Sequence, residues 1–139
     1  MGELLRAGLE VALPLRDRGV DLIAYADLDA RVQSFRACPI QMKAAMLCSF
    51  SVDRKYAKFP NLILAYVWNL QSLAAGVTYA LSYEQAVSVA TEMGYTATAS
   101  WESGLYTNTR PGPELVARLE PFKMTPAKWW SRVTGLEVS

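Results

Sequence analysis

The sequence contains no histidine. That absence removes Ser-His-Asp and Cys-His nucleophilic sites, zinc sites built on imidazole, and nucleases that need a histidine base. Catalysis is left to carboxylates, lysine, tyrosine, cysteine or a metal held by oxygen ligands. Cysteine is scarce as well. Cys38 and Cys48 are the only two, too few for a disulfide scaffold, and a reducing cytosol leaves both as buried thiols. No apolar run approaches the roughly 20 residues that span a bilayer, and the longest, over 62–67, has the length of a strand. The start Met1-Gly2-Glu3-Leu4-Leu5-Arg6 lacks the basic lead and long apolar stretch of a secretory signal. A cytoplasmic location and no membrane partner are therefore expected. Net charge is only +1, which excludes a broad positive field of the kind that binds nucleic acid over a whole surface.

What is present is apolar material. Hydrophobic residues make up 52% and charged residues 19% of 139, enough for a packed core and too little charge for a disordered chain. The length predicts a single domain over 1–139, with residues 95–139 as a helical and loop extension packed on the core. There is no internal repeat and no low-complexity segment.

The pattern along the chain is that of a mixed α/β protein. Residues 3–7 read as a short helix stopped at Gly8, 10–13 as a strand ended by Pro14, 15–19 as a polar turn, and 20–25 as a second strand. After a charged turn over 27–31, residues 35–43 give a third strand interrupted by Pro39, which marks an edge or a bulge. Residues 46–52 predict a further strand, and 53–59 a turn or single helical turn. Residues 62–68 are an almost unbroken apolar run, suited to a strand covered on both faces, and 76–81 predict another strand. Ser82 and Gln85 fit a capping box, and Tyr83, Ala86, Val87, Ala90 and Met93 recur at helical spacing up to Gly94. Residues 95–113 read as an ordered loop with short extended pieces and 114–119 as a short helix. Thr125-Pro126 opens a last helix, in which Trp129 or Trp130 packs on the domain.

Within this order, the third strand reads Ile40-Gln41-Met42-Lys43, and the second opens Gly19-Val20-Asp21. Strand side chains alternate faces, so Gln41 and Lys43 point one way and Met42 the other, which sets an oxygen donor beside an ammonium. If the strand that Asp21 opens is the neighbour, its carboxylate can meet them at one sheet edge.

The run from Leu4 to Lys43 resembles the PD-(D/E)XK nuclease-like superfamily, which includes restriction endonucleases and archaeal Holliday-junction resolvases. Asp21 matches the carboxylate element, and Gln41 and Lys43 match the acidic-or-glutamine residue two before a lysine. The resemblance implies a restriction endonuclease-like mixed central sheet flanked by helices. It also implies Asp21 and Gln41 as ligands of Mg²⁺ (or Mn²⁺), Lys43 as the residue that orients the attacking water or steadies the phosphate, and hydrolysis of DNA phosphodiester bonds. Cutting both strands takes two sites, which points to a homodimer. The chain departs from the pattern twice. Gln41 is neutral, so the site carries one negative charge fewer than the acidic version. Glu3, the candidate acid on the first helix, stands five residues before Gly8, closer than the two or three turns usual in the superfamily, a shift of roughly 7 Å at 1.5 Å per residue.

Two further candidates have two readings each. Arg54, Lys55 and Lys58 surround Tyr56 and are either phosphate contacts or a solvated loop. The stretch Ser100-Trp101-Glu102-Ser103-Gly104-Leu105-Tyr106 either lines a nucleic-acid groove or closes over the core. Three functions compete on these residues: a metal-dependent endonuclease, a catalytically impaired nucleic-acid-binding or assembly module of the same fold, and an enzyme using Asp or Cys on a small substrate. The third has no partner base beside either cysteine.

Overall fold

Short elements separated by glycine, proline and polar turns dominate the chain, as the punctuation of the sequence dictates. The computed structural model describes residues 2–16, 19–26, 35–70 and 76–136. The turn expected over 27–31, and residues 17–18 of the one expected over 15–19, lie outside them. The protein is mixed α/β, in two compact units: Met1–Gln41 with Met124–Ser139, and Met42–Lys123. The stretch expected as one C-terminal extension is thus shared between the units at Lys123. No helix among the described residues is long and apolar enough to cross a membrane.

In the first unit, helix α1 (Gly2–Arg6) leads through Gly8 into strand β1 (Leu9–Ala12), followed by β2 (Leu22–Ala26) and β3 (Ala37–Ala44), whose last residues pass into the second unit. All pair antiparallel in the order β1-β2-β3, with Leu9 opposite Ala26 and Leu22 opposite Ile40. Leu9, Leu22, Ala24, Ala26 and Ile40 are buried and fall on one face by strand alternation. Helix α5 (Pro126–Thr134) packs against β2 and α1. Its start is specified locally: the Thr125 hydroxyl accepts the Lys128 amide at 3.2 Å, and Pro126 has no N–H to leave unpaired. Trp129, Trp130 and Val133 are buried. Gly8 is left-handed (φ +87°) and lies against the Trp130 ring, where a Cβ would sit at 3.7 Å. The conformation is what favours glycine, since a Cβ at that distance from the ring would make an ordinary van der Waals contact.

In the second unit the end of β3 is followed in the sheet by β5 (Ile63–Trp68) and β6 (Val77–Ser82). β5 and β6 are antiparallel, with Leu64 opposite Leu81 and Tyr66 opposite Tyr79. Helix α2 (Tyr83–Glu92) starts at the capping box expected: Gln85 N–H donates to Ser82 Oγ at 3.1 Å, and Ser82 N–H to Gln85 Oε1 at 2.9 Å. Its Ala86, Val89 and Ala90 are buried, as are Leu115 and Leu119 of α4 (Pro113–Leu119).

Two expectations change. The strand foreseen over 46–52 is confined to β4 (Phe50–Asp53). Residues before it are held otherwise: Ala45 N–H donates to Val67 O, and Leu47 O accepts from Asn69 N–H. Side chains of β5 complete the attachment. The Tyr66 hydroxyl donates to Ser51 O at 2.6 Å and the Trp68 indole to Ser49 O at 2.7 Å. The loop foreseen over 95–113 contains helix α3 (Ala99–Glu102) and strand β7 (Leu105–Asn108), the latter pairing antiparallel with β4. The Thr98 hydroxyl caps α3 by accepting the Trp101 amide at 3.2 Å, and Gly104 turns the chain into β7 at φ +110°.

Candidate functional site

Strand β2 begins one residue after Asp21 and pairs with β3, the strand of Gln41 and Lys43. The expected neighbourhood of these two strands is therefore present. At its end the ladder shifts by one residue. Continuing the register from Leu22 and Ile40 would place Asp21 opposite Gln41, yet the Asp21 amide donates to Ile40 O at 2.9 Å. Such a shift is the local signature of a bulge, which re-aims a side chain where regular pairing stops. It brings the Asp21 backbone against the Ile40-Gln41 peptide.

Along β3, Gln41 and Lys43 are half-buried while Met42 and Ala44 are exposed, the alternation expected of a strand with unequal faces. Gln41 Oε1 is buried and has no hydrogen-bond partner among the described residues. A buried carbonyl oxygen left unpaired costs about 1–3 kcal/mol, so its persistence asks for a donor or a cation to satisfy it. An amide oxygen is a hard, neutral ligand of the type Mg²⁺ and Mn²⁺ accept.

Lys43 belongs to the second unit, where its ammonium stands 3.5 Å from the Tyr56 hydroxyl and 5.1 Å from the centre of the same ring. Tyr56 is buried within a 3-10 turn, Arg54–Lys58. The turn forms because Asp53 caps it, its carboxylate accepting the Lys55 amide at 3.0 Å. One phenol thus offers Lys43 both an oxygen and a π face, which narrows the directions the ammonium can take.

The basic cluster sits on this turn, with Arg54, Lys55 and Lys58 all exposed. Each lies over an aromatic ring: Arg54 over Trp101 at 5.4 Å, Lys55 over Tyr56 at 5.2 Å and Lys58 over Phe59 at 5.7 Å. The exposed Lys55 also pairs with the half-buried Asp53 at 3.6 Å, a contact of small energetic weight. Glu3 is half-buried in the first turn of α1, an element that packs on β1 and α5.

Among the described residues no three His, Cys, Asp or Glu side chains are gathered as a metal cage. A set made of Asp21 and the Gln41 amide is not of that type. Both cysteines are free and half-buried. Burial pushes the Cys38 thiol up, and Arg36 and Arg132 only partly offset it, so Cys38 is held protonated and is a poor nucleophile.

Sequence reasoning missed the pairing of Lys43 with Tyr56. The aromatic inside the basic run was visible, but only a 3-10 turn folds its ring inward while leaving the flanking cations outside. It also left the partner of Trp101 open. That partner, Arg54, lies far away in sequence and is brought near by the β4-β7 pairing. No family model, no curated protein and no solved structure matches the chain.

Proposed function

We propose that the protein is a metal-dependent endonuclease that hydrolyses DNA phosphodiester bonds and resembles the PD-(D/E)XK nucleases in fold and in site. The observation that carries this reading is the buried Gln41 Oε1, unpartnered among the described residues, on the strand paired with the one that Asp21 precedes. Asp21 and Gln41 are the residues to hold Mg²⁺ or Mn²⁺. When bound, such an ion lowers the pKa of water and offsets phosphate charge.

Lys43 supplies what the protein itself can do. Its ammonium is a donor only and is steadied by the Tyr56 ring and hydroxyl. A positioned cation of this kind stabilises negative charge that grows on phosphate oxygens during displacement. With Gln41 in place of a carboxylate, metal affinity rests on the charge of Asp21 and on any group substrate adds. Scission of both strands takes two such sites, hence two copies of the chain.

Incubation with supercoiled plasmid and Mg²⁺ or Mn²⁺ tests this. The wild-type protein is expected to give nicked and linear forms, and Lys43→Ala to lose roughly 10²–10³-fold in rate, the cost of removing one electrostatic contact to the transition state. Lys43→Ala should keep its melting temperature, because a half-exposed lysine contributes little to stability. Wild-type nicking by a folded Lys43→Ala protein would remove Lys43 from the mechanism. Nucleic-acid binding without cleavage under either metal would favour the impaired binding module.

A further inference from the structure

The 3-10 turn and helix α3 are bolted together inside the second unit. Asp53 stands opposite Leu105 at the adjoining ends of β4 and β7, and one step beyond, the Arg54 amide donates to Gly104 O at 2.8 Å. This junction sets the Arg54 guanidinium over the Trp101 indole at 5.4 Å. The segment that carries Trp101 is pinned on both sides. Thr98 caps α3, and Tyr95 stacks on Tyr106 of β7 with ring centres 4.2 Å apart. Trp101 keeps part of its surface open, while the three other tryptophans, Trp68, Trp129 and Trp130, are 9% exposed or less. Lys55 and Lys58 follow Arg54 on the same turn and are exposed. Glu102 is exposed beside Trp101, which leaves the turn as the cationic side of this surface.

We propose that Trp101 and Arg54 form a stacking ledge for an unpaired base, with Lys55 and Lys58 taking the adjoining phosphates of a single-stranded nucleic acid. Cations next to an aromatic face are the combination that single strands use, since a base outside a helix presents its own π face and its backbone can follow a short charged path. A paired base has no free face to offer. A patch of three cations, on a chain of net charge +1, also lacks the extended field that a duplex backbone would engage. The proposal takes its partner class from the nuclease reading but needs neither metal nor Lys43.

The test is binding of short labelled oligothymidylate, oligoadenylate and a duplex of equal length in EDTA, followed by anisotropy and by tryptophan quenching. Because the other indoles are buried, quenching of the wild-type protein reports on Trp101. Single strands are expected to bind more tightly than the duplex and to quench. Trp101→Ala should weaken single-strand binding roughly 5- to 100-fold with an unchanged salt slope, and Trp101→Phe should restore most of it. Lys55→Ala with Lys58→Ala should instead lower the salt slope by about 1.4, the share of two phosphates on a single strand. Equal or tighter duplex binding, wild-type affinity in Trp101→Ala, or failure of Trp101→Phe to rescue would each overturn the proposal. Should Trp101→Ala not fold, absence of quenching in the wild-type protein would do the same. Binding is measured in EDTA and plasmid cleavage with wild-type protein and metal, so the two readings fail separately.

Discussion

Strands β5 and β3 show how differently two strands of one chain can be employed. In β5, five of six residues are buried, and its two polar handles, the Tyr66 hydroxyl and the Trp68 indole, are both satisfied. In β3, only Ile40 is fully buried, and the buried Gln41 amide oxygen has no partner among the described residues. β5 holds the fold and has no spare valence. β3 has spare valence and contributes less packing. A polar atom kept unpaired beneath the surface is a poor stabilising device, and on this chain it is carried by the less buried of the two strands.

The contrast can be tested from either side. The largest stability effect belongs to β5: Leu64→Ala removes a side chain 1% exposed and should cost about 2–5 kcal/mol. Chemical denaturation measures it, and a loss under about 1 kcal/mol would show that the strand is less central than its burial implies.

Tyr66→Phe comes next. It deletes the donor to Ser51 O and should cost about 1–2 kcal/mol at neutral pH. The same substitution alters the alkaline limb of stability. Burial, with Tyr56 nearby, holds the Tyr66 phenol well above its ordinary range. The unfolded chain therefore ionises first, and the stabilisation present below about pH 10 is lost progressively above it. Tyr66→Phe should flatten that decline, with Tyr79 and Tyr106, whose phenols burial also raises, leaving a smaller residual slope. An unchanged alkaline limb would sink the assignment to Tyr66.

The smallest effect is expected on β3. Gln41→Leu fills the same space without an orphaned oxygen and should be neutral or stabilising by up to about 1 kcal/mol without metal. With Mg²⁺ or Mn²⁺ the wild-type melting temperature should rise and that of Gln41→Leu should not. Equal metal-induced shifts in both would strike Gln41 from the ligand set.

What the sequence disclosed was local. Ser82 with Gln85, Thr125 with Pro126, and the apolar run of β5 each carry their own instruction within a few residues, and each element forms there. The alternation of Gln41 and Lys43 was legible for the same reason. Features that depend on distant partners were not. β7 has no periodic signature, because it is made by pairing with β4 some fifty residues earlier in the chain. The apolar stretch before Phe50 looks like a strand, but its hydrogen bonds go to the end of β5 and beyond, and Met46 and Leu47 are exposed. Gln41 was recognisable as a candidate ligand by its spacing from Lys43. Its unpaired state was not, since that depends on every group that could have reached it and does not.

The two side-chain bonds from β5 to the segment before and at the start of β4 obey a rule of their own. Tyr66 reaches Ser51 and Trp68 reaches Ser49, so a step of two forward on one side is a step of two backward on the other. That is the arithmetic of an antiparallel ladder, written here with a phenol and an indole in place of amides. The rungs tie two stretches in a fixed alignment without a continuous backbone ladder between them. A one-residue insertion or deletion between Ser49 and Ser51 could satisfy one rung only by breaking the other. This short stretch should therefore tolerate many substitutions at Phe50's polar neighbours, whose carbonyls are what matter, and very few changes of length.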